Sequence, residues 1–211
     1  MASDVPHVAL RVTARRGAGP ADLHAVRHRA AALPVALTGT PGVGKSAVAR
    51  RLRSRWTAVE VSRLAAELGA ARRLSRGVEV DLPKLRATVR ASGVLQGIDV
   101  VVGHLAHLLP VREAIVLRCE PVELLRRLRR AGRGTARDQR ENFVSEALDL
   151  VLVEAVTAGV PVYEVDTTHR SVEAVAREVD RRLRHGGPPR AGVVDWLAKR
   201  SVTAHLLDAP G

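Results

Sequence analysis

Residues Gly39-Thr40-Pro41-Gly42-Val43-Gly44-Lys45-Ser46 spell a G-x-x-x-x-G-K-S octapeptide, and no other stretch of the chain limits its fold as tightly. The three glycines let the backbone turn sharply, so that consecutive N–H groups point inward at an anion. A helix starting where the loop ends adds its positive N-terminus. Such a loop works only between a strand and a helix, and the flanking residues supply both. Pro34 leads into the apolar run Val35-Ala36-Leu37-Thr38, and residues 45–54 place Val48, Ala49 and Leu52 on one helical face. Gly42, Val43, Gly44, Lys45, Ser46 and Ala47 are therefore the candidate contacts to a nucleotide's phosphates. Lys45 is expected to reach the β and γ phosphates as a point charge, and Ser46 to be the ligand of Mg²⁺. The motif alone leaves hydrolase, kinase and GTPase open. A GTPase needs a base-reading N-K-x-D motif, and the chain has none.

Strand-like and helix-like patterns alternate over the rest of the chain. Residues 58–61 read as a second strand, and Leu64, Ala65 and Leu68 as a helix ending at Gly69. Residues 70–82 lack clean periodicity, and 83–91 read as a helix ending near Gly93. The run 98–102 is apolar except for Asp99 and stops at Gly103-His104; 114–117 is a similar run. Continuous apolar strands suit a parallel sheet covered on both faces. A helix is expected at 121–130, broken at Gly132 and Gly134, then a single long helix over 138–158. A last strand at 161–165, a helix at 172–183, a Gly-Gly-Pro-Pro linker at 186–189 and a short terminal turn or helix at 193–199 complete the chain. This alternation predicts an α/β, three-layer P-loop nucleoside monophosphate kinase fold with a parallel sheet, expected to hold five strands. Residues 1–33 read as an extension with a strand-like alternation at Val8, Leu10 and Val12, a helix at 20–32 and no recognisable chemistry. Residues 34–185 form the expected domain, and 186–211 a linker and tail.

Composition removes several alternatives. Aromatic residues are 2% of the chain, which excludes a base-stacking nucleic-acid platform, while 46% apolar residues suffice for a core of Val, Leu and Ala. The single cysteine, Cys119, forbids an intrachain disulfide or a cysteine-based zinc site and fits a reducing, cytoplasmic interior. No apolar run approaches the ~18 residues that span a bilayer, so no membrane partner is expected. Lys and Arg outnumber Asp and Glu by 34 to 22, and only Lys45, Lys84 and Lys199 are lysines. A net charge of +12 favours phosphate-bearing partners, although a general preference for arginine accounts for the excess equally well.

The arginines fall where a nucleoside monophosphate kinase needs them. The segment after the second strand (about 62–82), the expected acceptor-binding insertion, holds Arg63, Arg72, Arg73 and Arg76. The expected lid (about 130–141) and its flanks hold Arg126, Arg127, Arg129, Arg130, Arg133, Arg137 and Arg140. Phosphoryl transfer depends on positioning and on cationic stabilisation of the moving group. Two or three of the seven are expected to contact ATP and the others to be surface.

Several local matches, in order along residues 34–200, resemble the archaeal branch of the adenylate kinase isoenzyme 6 family. They are Leu37-Thr-Gly-Thr-Pro-Gly-Val-Gly-Lys-Ser46, Gly103-His104-Leu-Ala-His107-Leu-Leu109, Val116-Leu-Arg-Cys119 and Arg127-Leu-Arg-Arg130. Glu141-Asn142 followed by Glu146-Ala147, Val162-Tyr-Glu-Val-Asp-Thr-Thr168 and Val194-Asp-Trp-Leu197 continue the series. The resemblance implies an adenylate-kinase-like fold, phosphoryl transfer from ATP to AMP with Mg²⁺, and a slow ATPase. It also implies maturation of the small ribosomal subunit through a ribosomal protein of the S11 type and pre-ribosomal RNA. It gives His104 a part in positioning the attacked water or acceptor, beside Lys45, Arg130 and Arg133 as catalytic residues. Asn142 and Glu146, four apart on one helix face, are expected to make a helix-to-helix hydrogen bond. Asp166 and Thr167 either close over the adenine or cap the strand end.

The chain departs from that pattern at three places. The family usually has an acid two residues before the histidine matching His104; here the position is Val102. Asp99 lies about 10 Å away, at the wrong end of the strand, so it does not substitute. The acceptor-binding insertion is shorter and less acidic than the family's, and Ala131 stands where an arginine often precedes the lid glycine, leaving Arg130 or Arg133 to serve. The alternative that follows from Val102 is an ATP-binding assembly factor with little kinase turnover.

Overall fold

The computed structural model describes residues 33–74 and 77–207. The expected strand near Val8 and the helix at 20–32 lie outside them, as does Arg76. Five parallel strands form the central sheet: β1 (Val35–Thr38), β2 (Ala58–Glu60), β5 (Val100–Val102), β6 (Glu113–Arg118) and β7 (Val162–Asp166), in the spatial order β2-β5-β1-β6-β7. Val35 and Leu37 of β1 pair with Val100 and Val102 on one side and with Glu113 and Ile115 on the other.

Helices cover both faces, and alternation along the strands divides the core between them. On one face Leu37, Val102, Ile115 and Leu117 meet Val48, Ala49 and Leu52 of α1 (Lys45–Leu52), and Val175, Val179 and Leu183 of α7 (Val172–His185). On the other, Ala36, Val101, Ala114 and Val116 meet Leu64 and Ala65 of α2 (Val61–Glu67) and Leu85 and Val89 of α3 (Leu82–Ser92). Leu152 and Ala155 of α6 (Leu150–Thr157) complete that layer. Local sequence starts the helices cleanly. Asp81 accepts from Lys84 N ahead of Pro83, Glu120 accepts from Glu123 N ahead of Pro121 at the start of α4 (Pro121–Arg130), and Ser171 accepts from Ala174 N. A reciprocal capping box between Thr135 and Asp138 opens α5 (Ala136–Ala147), immediately after the turn of Ala131–Gly134.

Three segments differ from expectation. Two short strands pair antiparallel, β3 (Ala71–Leu74) and β4 (Gly77–Val80), steadied by a 2.9 Å ion pair between Arg72 and Glu79. The side chains described there are mostly exposed, so no apolar alternation marks it in the sequence. Second, the single helix expected over 138–158 is two helices, α5 and α6. The Glu146 carbonyl, which an unbroken helix would offer to residue 150, is instead taken by Asp149 N (3.2 Å) and by Arg118 Nη2 (3.3 Å). Asp149 turns left-handed (φ 57°) and pairs with the same guanidinium. Third, the turn at Trp196–Lys199 is followed by a helix not anticipated, α8 (Arg200–Leu207).

The segment before α8 is packed down firmly. Arg190 bridges to β7 through Glu164 N to Arg190 O (2.8 Å) and Arg190 N to Val162 O (2.7 Å). Val193 N donates to Glu164 Oε2 (2.7 Å), and the buried Trp196 donates from Nε1 to Glu146 Oε1 (3.2 Å). Arg118, 1% exposed, joins these parts, with Nε on Glu146 (2.8 Å) and Nη1 on Glu164 (2.7 Å). Removing one member of a buried charge network strands its partners. Arg118→Met is therefore expected to lower unfolding free energy by about 3–5 kcal/mol, read from urea midpoints at constant m-value.

Candidate nucleotide-binding site

The G-x-x-x-x-G-K-S loop leaves the carboxyl end of β1, at the point where the chain's neighbours pass to opposite sides: β5 on one flank and β6 on the other. Gly39, Gly42 and Gly44 all have positive φ (132°, 99° and 109°). At two of them space is as decisive as φ. A Cβ on Gly39 would lie 2.2 Å from Leu117 O, and one on Gly42 would lie 2.7 Å from Leu128 Cδ2 and 2.8 Å from Leu124 Cδ1. The loop is thus pressed between β6 and α4. It is also tied down chemically. Thr40 Oγ1 donates to Glu146 Oε2 (2.5 Å), and Thr167 Oγ1 lies 3.2 Å from Val43 O, where it acts as donor.

With the loop so fixed, the backbone N–H groups of Gly42, Gly44, Lys45 and Ser46 have no protein acceptor among the described residues. The other two expected contacts use theirs internally: Val43 N reaches Thr40 O (3.3 Å) and Ala47 N reaches Gly44 O (3.1 Å). Lys45 Nζ folds back to donate to Gly39 O (2.7 Å) and Thr40 O (2.9 Å). Burial lowers its pKa to about 8, with Glu146 and Glu60 opposing the shift and Arg133 adding to it. Ser46 is exposed at the first turn of α1, its hydroxyl making no hydrogen bond among the described residues.

His104 lies on the exposed rim. Its carbonyl accepts from Thr38 Oγ1 (3.1 Å), and its imidazole is held below its ordinary pKa by partial desolvation and by the Lys45 charge. His107 is buried, with Nδ1 3.0 Å from Thr38 Oγ1, and burial followed by the His104 charge drops its pKa to about 4. Of the two arginines expected at the lid, Arg133 is near enough to repel Lys45, whereas Arg130 is exposed at the last turn of α4. Arg126 and Arg127 pair with Glu123, Arg137 pairs with Glu141, and Arg140 donates to the carbonyls of His205 and Leu206. Arg129, Arg130 and Arg133 have no side-chain partner among the described residues.

The missing acid is confirmed by register. Val102 is a 1% exposed core residue, and Asp99 sits at the far end of β5, where Oδ2 accepts from Thr57 N (2.8 Å). Among the described residues no group of three or more His, Cys, Asp or Glu could hold a metal ion. Glu146 does not bond Asn142; it reaches the loop and Arg118, and Asn142 makes no hydrogen bond among the described residues. Asp166 caps its own strand end, accepting from Thr168 N (2.8 Å), and Thr167 binds the loop. Arg118 and Thr40, which hold the loop through Glu146, and Glu60, whose charge acts on Lys45, were not among the residues sequence reasoning singled out. The only signal for Glu60 was an acid ending an otherwise apolar strand.

Comparison with known proteins places the chain in a family. A family model described as an AAA domain matches residues 35–149. A protein of Archaeoglobus fulgidus named "Putative adenylate kinase" is 40% identical over 172 residues, covering 78% of this chain and 92% of the relative. The chain belongs to the archaeal adenylate-kinase-like family of nucleotide kinases. A Thermococcus onnurineus relative of the same name is 37% identical over 176 residues, covering 82% of this chain and 96% of its own. Among solved structures, shikimate kinase from Bacteroides thetaiotaomicron overlays with a TM-score of 0.46 at 15% identity, covering 72% of this chain and 98% of that one. No helix of the described residues is long and apolar enough to cross a membrane.

Two measurements test the site. Triphosphate binding needs the ammonium form of Lys45, so affinity for ATP by calorimetry is expected to fall from pH 7 to pH 9, approaching about tenfold per unit above the free-protein pKa of about 8. Lys45→Arg should flatten that profile. Stability of the nucleotide-free protein carries the opposite sign. A lysine held below its unfolded value costs stability at neutral pH, and this cost is relieved as pH rises from about 8 towards 10.5. Gly42→Ala, which drives a methyl group into Leu124 and Leu128, is expected to weaken ATP at least tenfold in the same assay.

Proposed function

We propose that the protein transfers the γ-phosphoryl group of ATP to AMP, giving two ADP. One observation carries this reading: four loop amides have no protein acceptor among the described residues, and the loop's own carbonyls hold an ammonium group whose pKa is depressed by burial. Such a cradle gains its missing acceptors from phosphate oxygens. In the transfer, an oxygen of the AMP phosphate bonds to the γ-phosphorus as the bond to the β–γ bridging oxygen breaks. Lys45 offsets charge on the β and γ oxygens, and Arg133 and Arg130, without side-chain partners among the described residues, supply further positive charge from the lid. His104, neutral at pH 7, orients the attacking oxygen at the rim. The Ser46 hydroxyl is a hard oxygen donor with no protein partner and fits Mg²⁺ brought by ATP, which when bound neutralises charge on the bridging phosphates.

Val102 favours a second reading, in which ATP occupancy matters more than turnover. A cytoplasmic factor that binds ATP and slowly hydrolyses it, acting on the small ribosomal subunit through an S11-type protein and pre-ribosomal RNA, suits the absent acid and the charge of +12.

Measuring ADP formation with ATP plus AMP against ATP alone separates the two. The kinase reading expects AMP-dependent ADP formation, reduced by about 10²–10³ in Lys45→Met. AMP-independent phosphate release, or ATP binding with neither activity, assigns the protein to the second reading.

A further inference from the structure

Position 102 lacks an acid, and the strand beside it carries one at the same height. Val102 of β5 is in register with Leu37 of β1 and with Glu60 of β2, so the three lie in one row across the carboxyl edge of the sheet. Residues in register on adjacent parallel strands share a face. Leu37 and Val102 pack on the α1 side with Val48 and Ala49, whereas Val59 and Val101 belong to the opposite layer. Glu60 therefore stands on the face that carries Lys45 and Ser46, one strand spacing, about 4.8 Å, beyond Val102.

Nothing in the fold explains this carboxylate. Glu60 precedes α2 in the capping position, yet its side chain makes no cap hydrogen bond. It makes no hydrogen bond or ion pair among the described residues, although it is half-buried. A polar group drawn partly out of water without a partner is a cost that packing does not repay. Its field is nevertheless felt at the loop, where it raises the pKa of Lys45.

We propose that Glu60 supplies the carboxylate that orders the water shell of the divalent cation carried by ATP, replacing the acid that position 102 lacks. Mg²⁺ keeps several of its waters in such sites, so a carboxylate acting through water is effective from a neighbouring strand, where a direct ligand would have to sit closer. The acid has moved sideways in the sheet, at the same height along the strands. Asp99, displaced along its strand, is at the wrong height. This inference rests on the ATP-binding reading above.

Calorimetry gives the test without relying on turnover. ATP affinity is measured with Mg²⁺ and with EDTA, in the wild-type protein and in Glu60→Gln. Wild type is expected to bind more tightly with Mg²⁺. In Glu60→Gln that gain should shrink at least fivefold, while metal-free affinity is unchanged or improved, because a negative charge near the triphosphate has gone. Mn²⁺ binding to the ATP complex, followed by electron paramagnetic resonance, should weaken by at least fivefold as well. A loss of gain smaller than fivefold, or a parallel loss of metal-free affinity, overturns the role of Glu60. Absence of ATP binding by wild type defeats the nucleotide reading itself, and this proposal with it.

Discussion

A single guanidinium holds the functional end of this protein together. Arg118 ends strand β6, next to the central β1, with its side chain buried, and four acceptors converge on it: the carboxylates of Glu146, Glu164 and Asp149, and the Glu146 carbonyl. Each carries the constraint outward. Glu146 fixes Thr40 of the phosphate loop and receives Trp196; Glu164 receives Val193 N; Asp149 takes the left-handed turn that separates α5 from α6. Buried ion networks are weak sources of net stability, because desolvation offsets attraction. What this one contributes is geometry. With so many partners aimed at one cation, the loop has a single seat.

That seat leaves the loop underused by the protein itself. Amides at its tip lack acceptors, and the Lys45 ammonium is partly desolvated against the loop's own carbonyls. A fold selected for stability alone would relieve both. Their persistence fits the general trade between stability and activity, in which binding groups are kept ready at some cost to the empty protein. The glycines serve the same end: Gly39 and Gly42 let the β6 backbone and α4 approach the loop where a Cβ would clash.

Much of the architecture was legible in the sequence because it depends on local chemistry. Five strand-like runs announced five parallel strands, and the loop's spacing identified both its position and a nucleotide's phosphates as its expected ligand. What stayed hidden depends on distant partners. Asp149 looks like an ordinary helical residue until Arg118, 31 positions earlier, claims it. Glu146 looks suited to its helical neighbour Asn142, but its partner Thr40 is 106 residues away. The described side chains of the β3–β4 pair are mostly exposed, so it has no hydrophobic period to detect. Glu60 was hidden for another reason: its importance lies in strand order, since only the pairing of β2 with β5 sets it beside Val102.

The pairing of Trp196 with Glu146, and of Glu146 with Thr40, also sets a timetable for biosynthesis. Thr40 leaves the translation machinery 106 residues before Glu146, and Trp196 emerges 50 residues later still. At roughly 5–20 residues per second, the glycine-rich turn waits on the order of ten seconds before its last clasp exists. Until then the nascent chain holds the Arg118 cation without its full set of partners.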